Sequence, residues 1–131
     1  MWVFHADATR AILFGDYGTT GGINFNIELS TGHAVRFYWG GSPDSYPSNA
    51  TIAASAWSHI ALTYDGTKIQ SYINGIAKGS WTGTLAAKTK TSGEFRLGRD
   101  TRSDSTALNG RMNDFRIYDH CLSAAEVREI S

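Results

Sequence analysis

Apolar and polar residues alternate with a period of two over much of the chain, the pattern of half-buried β-strands. Alternation is cleanest at Ile23–Leu29, where Ile23, Phe25, Ile27 and Leu29 face one way and Asn24, Asn26 and Glu28 the other. The stretch from Trp57 to Gly75 predicts two strands joined at Asp65-Gly66 and closed by a second tight turn at Asn74-Gly75. Both dipeptides tolerate the positive φ that a two-residue hairpin turn demands. Ile60, Leu62 and Tyr64 share one face there, and Ile69, Ser71 and Ile73 share one after the turn. Further strands are expected at Trp2–His5, Ala11–Phe14, Ala34–Trp39, Ile76–Trp81, Glu94–Gly98 (with Phe95 and Leu97 inward) and Gly110–Tyr118.

Between these runs the punctuation is glycine, proline and small polar residues. Gly15–Gly22 reads as a glycine-rich loop, without the lysine and following helix of a phosphate-cradling loop. Residues 40–50, which hold Pro43 and Pro47, read as the longest loop, and 82–93 and 99–109 as polar loops. One helix signal stands out: Ser123-Ala-Ala-Glu126 is a capping box, with Leu122 and Val127 spaced as a hydrophobic staple. It predicts about two turns over 124–130. Nine or ten short strands and one terminal helix predict an all-β fold, two antiparallel sheets packed as a sandwich.

At 131 residues the chain is expected to form a single domain spanning 1–131, large enough for a substantial core. Twelve basic residues balance twelve acidic ones, so the basic excess of a nucleic-acid or anionic-membrane binder is missing. No segment approaches the roughly 20 apolar residues of a membrane span, so membrane insertion is not expected. Met1–Asp7 lacks the basic region and apolar run of a signal peptide. Cys121 is the lone cysteine, which excludes an intrachain disulfide and predicts a small buried apolar residue.

Taken together, Trp57-Ser-His-Ile-Ala-Leu-Thr-Tyr-Asp-Gly and Tyr72-Ile-Asn-Gly resemble the laminin G-like branch of the concanavalin A-like lectin/glucanase superfamily. Phe95-Arg-Leu-Gly98 and the ending Asn109-Gly-Arg-Met-Asn-Asp-Phe-Arg-Ile-Tyr118, followed by Leu122-Ser123, fit the same pattern. The resemblance implies a jelly-roll sandwich of two antiparallel sheets with one short C-terminal helix. It also implies a binding or adhesion module, found in cell-surface, secreted or phage structural proteins. It makes Trp57 a core residue and Asp114 a structural one. Met1-Trp-Val-Phe resembles a segment that the family places after several earlier strands. The expectation is therefore a fragment or a short version of the fold, lacking the usual N-terminal strands. An edge at Asp114–Tyr118 would then lie open to self-association or to a neighbouring domain.

Chemistry is sparse. Glucan-cleaving relatives use closely spaced carboxylates, but none of Glu28, Glu94, Glu126 and Glu129 has another carboxylate two residues away. His5, His33, His59 and His120 show no zinc spacing, and His59 reads as a structural hydrogen-bonding residue. Some relatives hold calcium at a loop rim; the candidates here are Asp16, Asp100 and Asp104, with no Asp-x-Asp-x-Asp pattern to gather them. For stacking on a sugar ring the candidates are Tyr17, Trp39, Tyr46 and Trp81, at loops or strand ends. The expected function is a non-catalytic recognition module for a carbohydrate or other cell-surface ligand, acting through its loops. The rival is a structural or assembly domain, as in a phage or cell-surface protein, that binds protein partners. Either would be extracellular, on a cell surface or on a virion, as part of a larger protein.

Overall fold

Strands that are apolar on one face must cover that face, and here they do so by stacking one sheet on another. The computed structural model describes residues 1–17, 23–39, 45–85, 94–99 and 106–131, with backbone alone at 16–17, 23–24 and 45–49. Its elements are β1 (Trp2–His5), β2 (Ala11–Tyr17), β3 (Ile23–Leu29), β4 (Ala34–Trp39), β5 (Ser45–Thr51), β6 (Trp57–Tyr64), β7 (Lys68–Ile73), β8 (Ile76–Thr82), β9 (Glu94–Leu97), β10 (Gly110–Asn113) and α1 (Ala124–Glu129). Two five-stranded antiparallel sheets result, in the orders β10-β1-β6-β7-β8 and β5-β4-β3-β2-β9. This is the jelly-roll sandwich with one short C-terminal helix.

The core lies between the sheets. Val3, Leu13, Phe14, Ile27, Leu29, Val35, Phe37 and Ile60 are buried in one cluster. Phe14 meets Phe25 edge-on at 5.1 Å, and Phe25 meets Phe37 at 5.2 Å, so an aromatic row crosses the second sheet. At one end of the sandwich His5 of β1 and His33, beyond β3, bring their Nδ1 atoms to 3.1 Å across the two sheets. The register puts Tyr64, Ile69 and Trp81 at the opposite end of the first sheet, and Asp16, Phe25 and Trp39 at the same end of the second.

The Asn74-Gly75 turn is as expected: both residues have positive φ, 50° and 72°, and Asn74 Oδ1 accepts a hydrogen bond of 2.7 Å from the His59 N–H. The first turn sits one residue later than expected. Asp65 N donates to Lys68 O at 3.2 Å, so Gly66 (φ 99°) and Thr67 are the central pair. Asp65 instead braces the turn, its carboxylate accepting from the N–H groups of Thr67 and Lys68. The capping box forms as read: Ser123 Oγ accepts from Glu126 N, and the Glu126 carboxylate accepts from Ser123 N. Val127 is fully buried beneath it, a contribution of about 2 kcal/mol that so short a helix needs.

Several expectations are corrected. β2 runs on through Gly15 to Tyr17, because β3 and β9 flank it and pair with it on both sides. Residues 45–51 form β5 rather than loop; Pro47 is tolerated because β5 is an edge strand. The last strand ends at Asn113, where Asp114 takes φ 51° and breaks the ladder; 114–118 has no strand assignment. Phe95 and Leu97 do sit on the inner-face rows of Asp16 and Phe14, yet each is 48% exposed, since β9 is an edge. Trp57 is not core. It is 43% exposed because the register sets it beside Phe4 on the outer face, while Val3 and Ser58 point inward. Cys121 is exposed rather than buried. Conversely Asn26 and Glu28, on the polar face of β3, are buried, and Glu28 is held by Arg10 (Nε 2.9 Å) and Tyr38 (3.1 Å).

Two expected outcomes follow from this packing. A Cβ at Gly110 would collide with the Phe4 carbonyl oxygen, so Gly110→Ala is expected to cost about 2 kcal/mol in chemical denaturation. Burial holds the pKa of His59 down to about 4, and burial likewise lowers that of His5. Unfolding lets both take up protons below about 6.5. Stability is therefore expected to be complete above that pH and to fall as pH drops from about 6.5 to about 4; a melting-temperature profile would check it, and His59→Gln should flatten it.

Candidate functional site

Three places on the molecule could meet a ligand. The first is the sandwich end that carries the predicted residues. Trp39, closing β4, stands edge-on to Phe25 at 5.7 Å and is half-buried against the core. Trp81, in β8, lies on the inner face beside Ile69, and a side chain at Gly83 would strike its indole ring. Tyr64 closes the same end, its hydroxyl donating to Gly66 O at 2.6 Å and accepting from Leu85 N at 2.9 Å. Trp39 and Trp81 thus share an end, each partly buried against the core. Tyr17 ends β2 at that end too, and Tyr46 lies in β5 opposite Phe37 rather than in a loop. The side chains of Asp16, Tyr17 and Tyr46 lie outside the described residues, as do Asp100 and Asp104 altogether. Among the described residues no three His, Cys, Asp or Glu side chains gather to hold a metal.

The second place was not anticipated. On the outer face of the first sheet the rows Arg111–Phe4–Trp57 and Asn113–Trp2–His59 run side by side across β10, β1 and β6. Phe4 and Trp57 lie 5.9 Å apart at 58°, and the Arg111 guanidinium sits 5.9 Å from the Phe4 ring. Trp2 covers the buried His59 ring at 5.4 Å. The result is a platform of aromatic rings edged by an exposed guanidinium and the exposed Asn113. The clue in the sequence was parity: Trp2 and Phe4 alternate with Val3 and His5, so one pair had to face outward.

The third is a cavity of about 470 Å³ between β6 and the segment 114–122. Phe14, Ile27 and Leu62 line it, with Ala61 and Thr63 from the other face of β6. Asp114 and Arg116 pair at its mouth (2.6 Å), which holds the Asp114 carboxyl below its usual range. Ile117, 68% exposed, and Tyr118 stand on its rim beside Cys121.

With that geometry in place, the comparisons with known proteins are direct. The chain belongs to the laminin G-like family of the concanavalin A-like lectin/glucanases superfamily, whose model matches residues 1–128. No characterised protein sequence matches it closely enough to count as a relative. Its fold is shared with a heptameric SAP-like pentraxin from Limulus polyphemus: TM-score 0.76, 13% identity, 98% of this chain and 66% of that one. It is shared too with a putative carbohydrate binding protein from Bacteroides ovatus: TM-score 0.72, 14% identity, 98% and 39%. A Trypanosoma rangeli sialidase resembles it at TM-score 0.66 and 15% identity, over 97% of this chain and 21% of that one. The chain therefore spans less than two thirds of each of these proteins. No helix among the described residues is long and apolar enough to cross a membrane.

Cys121 is exposed on the cavity rim, so a maleimide reagent is expected to label it stoichiometrically in the native protein. Labelling that required denaturant would place the thiol elsewhere.

Proposed function

We propose that this domain is a non-catalytic recognition module for carbohydrate, displayed outside the cell or on a virion as part of a longer protein. The observation that carries the reading is the Arg111–Phe4–Trp57 row, where an indole 43% exposed to solvent and an arginine flank the Phe4 ring. The C–H face of a pyranose stacks on such a ring, and the guanidinium supplies donors to its hydroxyls. Laminin G-like membership and the fold shared with a putative carbohydrate binding protein support it. The glutamates speak for binding rather than hydrolysis: Glu28 is engaged by Arg10 and Tyr38, Glu94 by Arg96, and Glu126 by its own helix cap. Calcium at Asp16, Asp100 and Asp104 is not needed for this mode of stacking. A second reading, an assembly domain that binds protein, is favoured by the cavity beside Leu62.

A glycan array followed by affinity electrophoresis tests the first reading. Trp57→Ala, at an exposed position, is expected to weaken binding at least about tenfold, or about 1.4 kcal/mol, with the fold intact. Tyr46→Ala and EDTA should leave binding unchanged. Loss with Tyr46→Ala would move the site to the loop end, loss with EDTA would bring in calcium, and silence across the array would defeat the reading.

A further inference from the structure

His5 and His33 stand 28 residues apart and show no ligand spacing in the sequence, yet the sandwich closes them on each other. His5 lies on the inner face of β1, opposite to Phe4, and is fully buried; His33 lies in the turn between β3 and β4 and is 8% exposed. Their Nδ1 atoms face each other at 3.1 Å, with the ring planes crossed at 74°. An imidazole nitrogen sits about 2.0–2.1 Å from a zinc ion that it binds. Two nitrogens 3.1 Å apart both meet that distance when the angle between them at the ion is about 95–100°. Such an angle falls between the octahedral and the tetrahedral values, so neither nitrogen has to move away from the other. Crossed rings can aim at one point between them.

Both rings are held for this from behind. Gly32 and His33 have positive φ, 83° and 65°, so a histidine occupies left-handed backbone that residues other than glycine rarely adopt. His33 N donates to Ser30 O and Ile52 N donates to His33 O, each at 3.1 Å, which fixes the residue in that turn. On the other side the Asp7 carboxylate lies 3.3 Å from His5 Nε2, a buried nitrogen with no hydrogen-bond partner among the described residues. Its charge favours the proton on Nε2 and leaves the Nδ1 lone pair for the contact. Asp7 is itself anchored: Thr9 N and Thr9 Oγ1 donate to its Oδ1 at 3.0 and 2.6 Å, and Asn109 Nδ2 donates to its Oδ2 at 2.6 Å. A carboxylate behind one ring nitrogen and a lone pair on the other is the arrangement that orients metal-binding histidines.

We propose that His5 and His33 bind a zinc-type divalent ion between their Nδ1 atoms, with Asp7 as a positioning residue and water, reaching the ion past His33, in the remaining positions. Calcium and magnesium prefer oxygen ligands and do not suit two imidazoles. The hydrogen now shared by the rings moves from Nδ1 of His33 to its Nε2, so both rings stay neutral. The site lies on the face of β1 opposite to the Phe4 and Trp57 rings, so the saccharide reading neither requires it nor falls with it.

The test uses the full 131-residue chain, stripped with EDTA and titrated with zinc while the imidazole nitrogens are followed by heteronuclear NMR. One equivalent is expected to shift the Nδ1 resonances of His5 and His33, and the melting temperature should rise with zinc concentration. His33→Asn, which keeps a residue that accepts left-handed backbone, should weaken zinc at least about tenfold. Asp7→Asn should weaken it about tenfold. In the metal-free protein the same change should lower the share of His5 protonated at Nε2, which a purely structural carboxylate would not affect. The exposed His120 and Cys121 are the natural competitors for added zinc, so His120→Ala combined with Cys121→Ser should leave the affinity unchanged. The proposal is overturned if millimolar zinc leaves both Nδ1 resonances unmoved, an outcome read on the unaltered chain whether or not a variant folds. It is also overturned if binding survives His33→Asn but not the double substitution, or if zinc lowers the melting temperature, which would put the ion on the unfolded chain.

Discussion

One margin of this sandwich hangs on β1, a strand of four residues held between the middle of the chain and its last strand. On one side it pairs with β6, the start of the central hairpin; on the other with β10, the last strand. The C-terminal segment joins the first sheet through that second ladder, and beyond it Arg128 and Ser131 pack against the Gly75 turn. Gly110 makes the approach possible, since its missing side chain leaves room for the Phe4 carbonyl. Asn109 adds a grip of its own: its backbone carbonyl accepts from Ala6 N, and its side chain donates to the Asp7 carboxylate, one of the bonds that hold Asp7 at a pKa of about 2. A short strand thus fixes where α1, the exposed Cys121 and the cavity wall come to lie.

Much of this architecture was legible in the residues. The period of two at Ile23–Leu29 and Trp57–Ile73 marked the strands, Asn74-Gly75 marked its turn, and Ser123 with Glu126 marked the helix cap. These are local signals, and local physics decided them. What failed depended on neighbours. Whether Pro47 interrupts a strand turns on β5 being an edge, and whether Gly15 belongs to a loop turns on strands pairing at both its sides. Trp57 was misplaced because a strand's parity says that two faces exist and not which is covered. Parity put Glu28 opposite Ile27 but could not say that Arg10 and Tyr38 would cover it there. The stacking candidates Trp39 and Trp81 do share an end of the sandwich, each partly buried against the core, while Trp57 stands at the opposite end of the sheet, in the row of Phe4.

The sandwich consequently offers two unlike surfaces. The outer face presents the aromatic rings of Trp2, Phe4 and Trp57 with the Arg111 guanidinium beside Phe4. The margin presents the cavity between β6 and 114–122, walled by Phe14, Ile27 and Leu62.

The His5–His33 contact has a bearing on how the two layers move. Two ring nitrogens 3.1 Å apart can share one hydrogen and no more, so the link exists only while at least one ring lacks its second proton. It also ties the layers at the end away from Trp39 and Trp81. The contact is thus a proton-dependent tie between β1 of the first sheet and the turn after β3 of the second, in a core that is otherwise held by apolar packing.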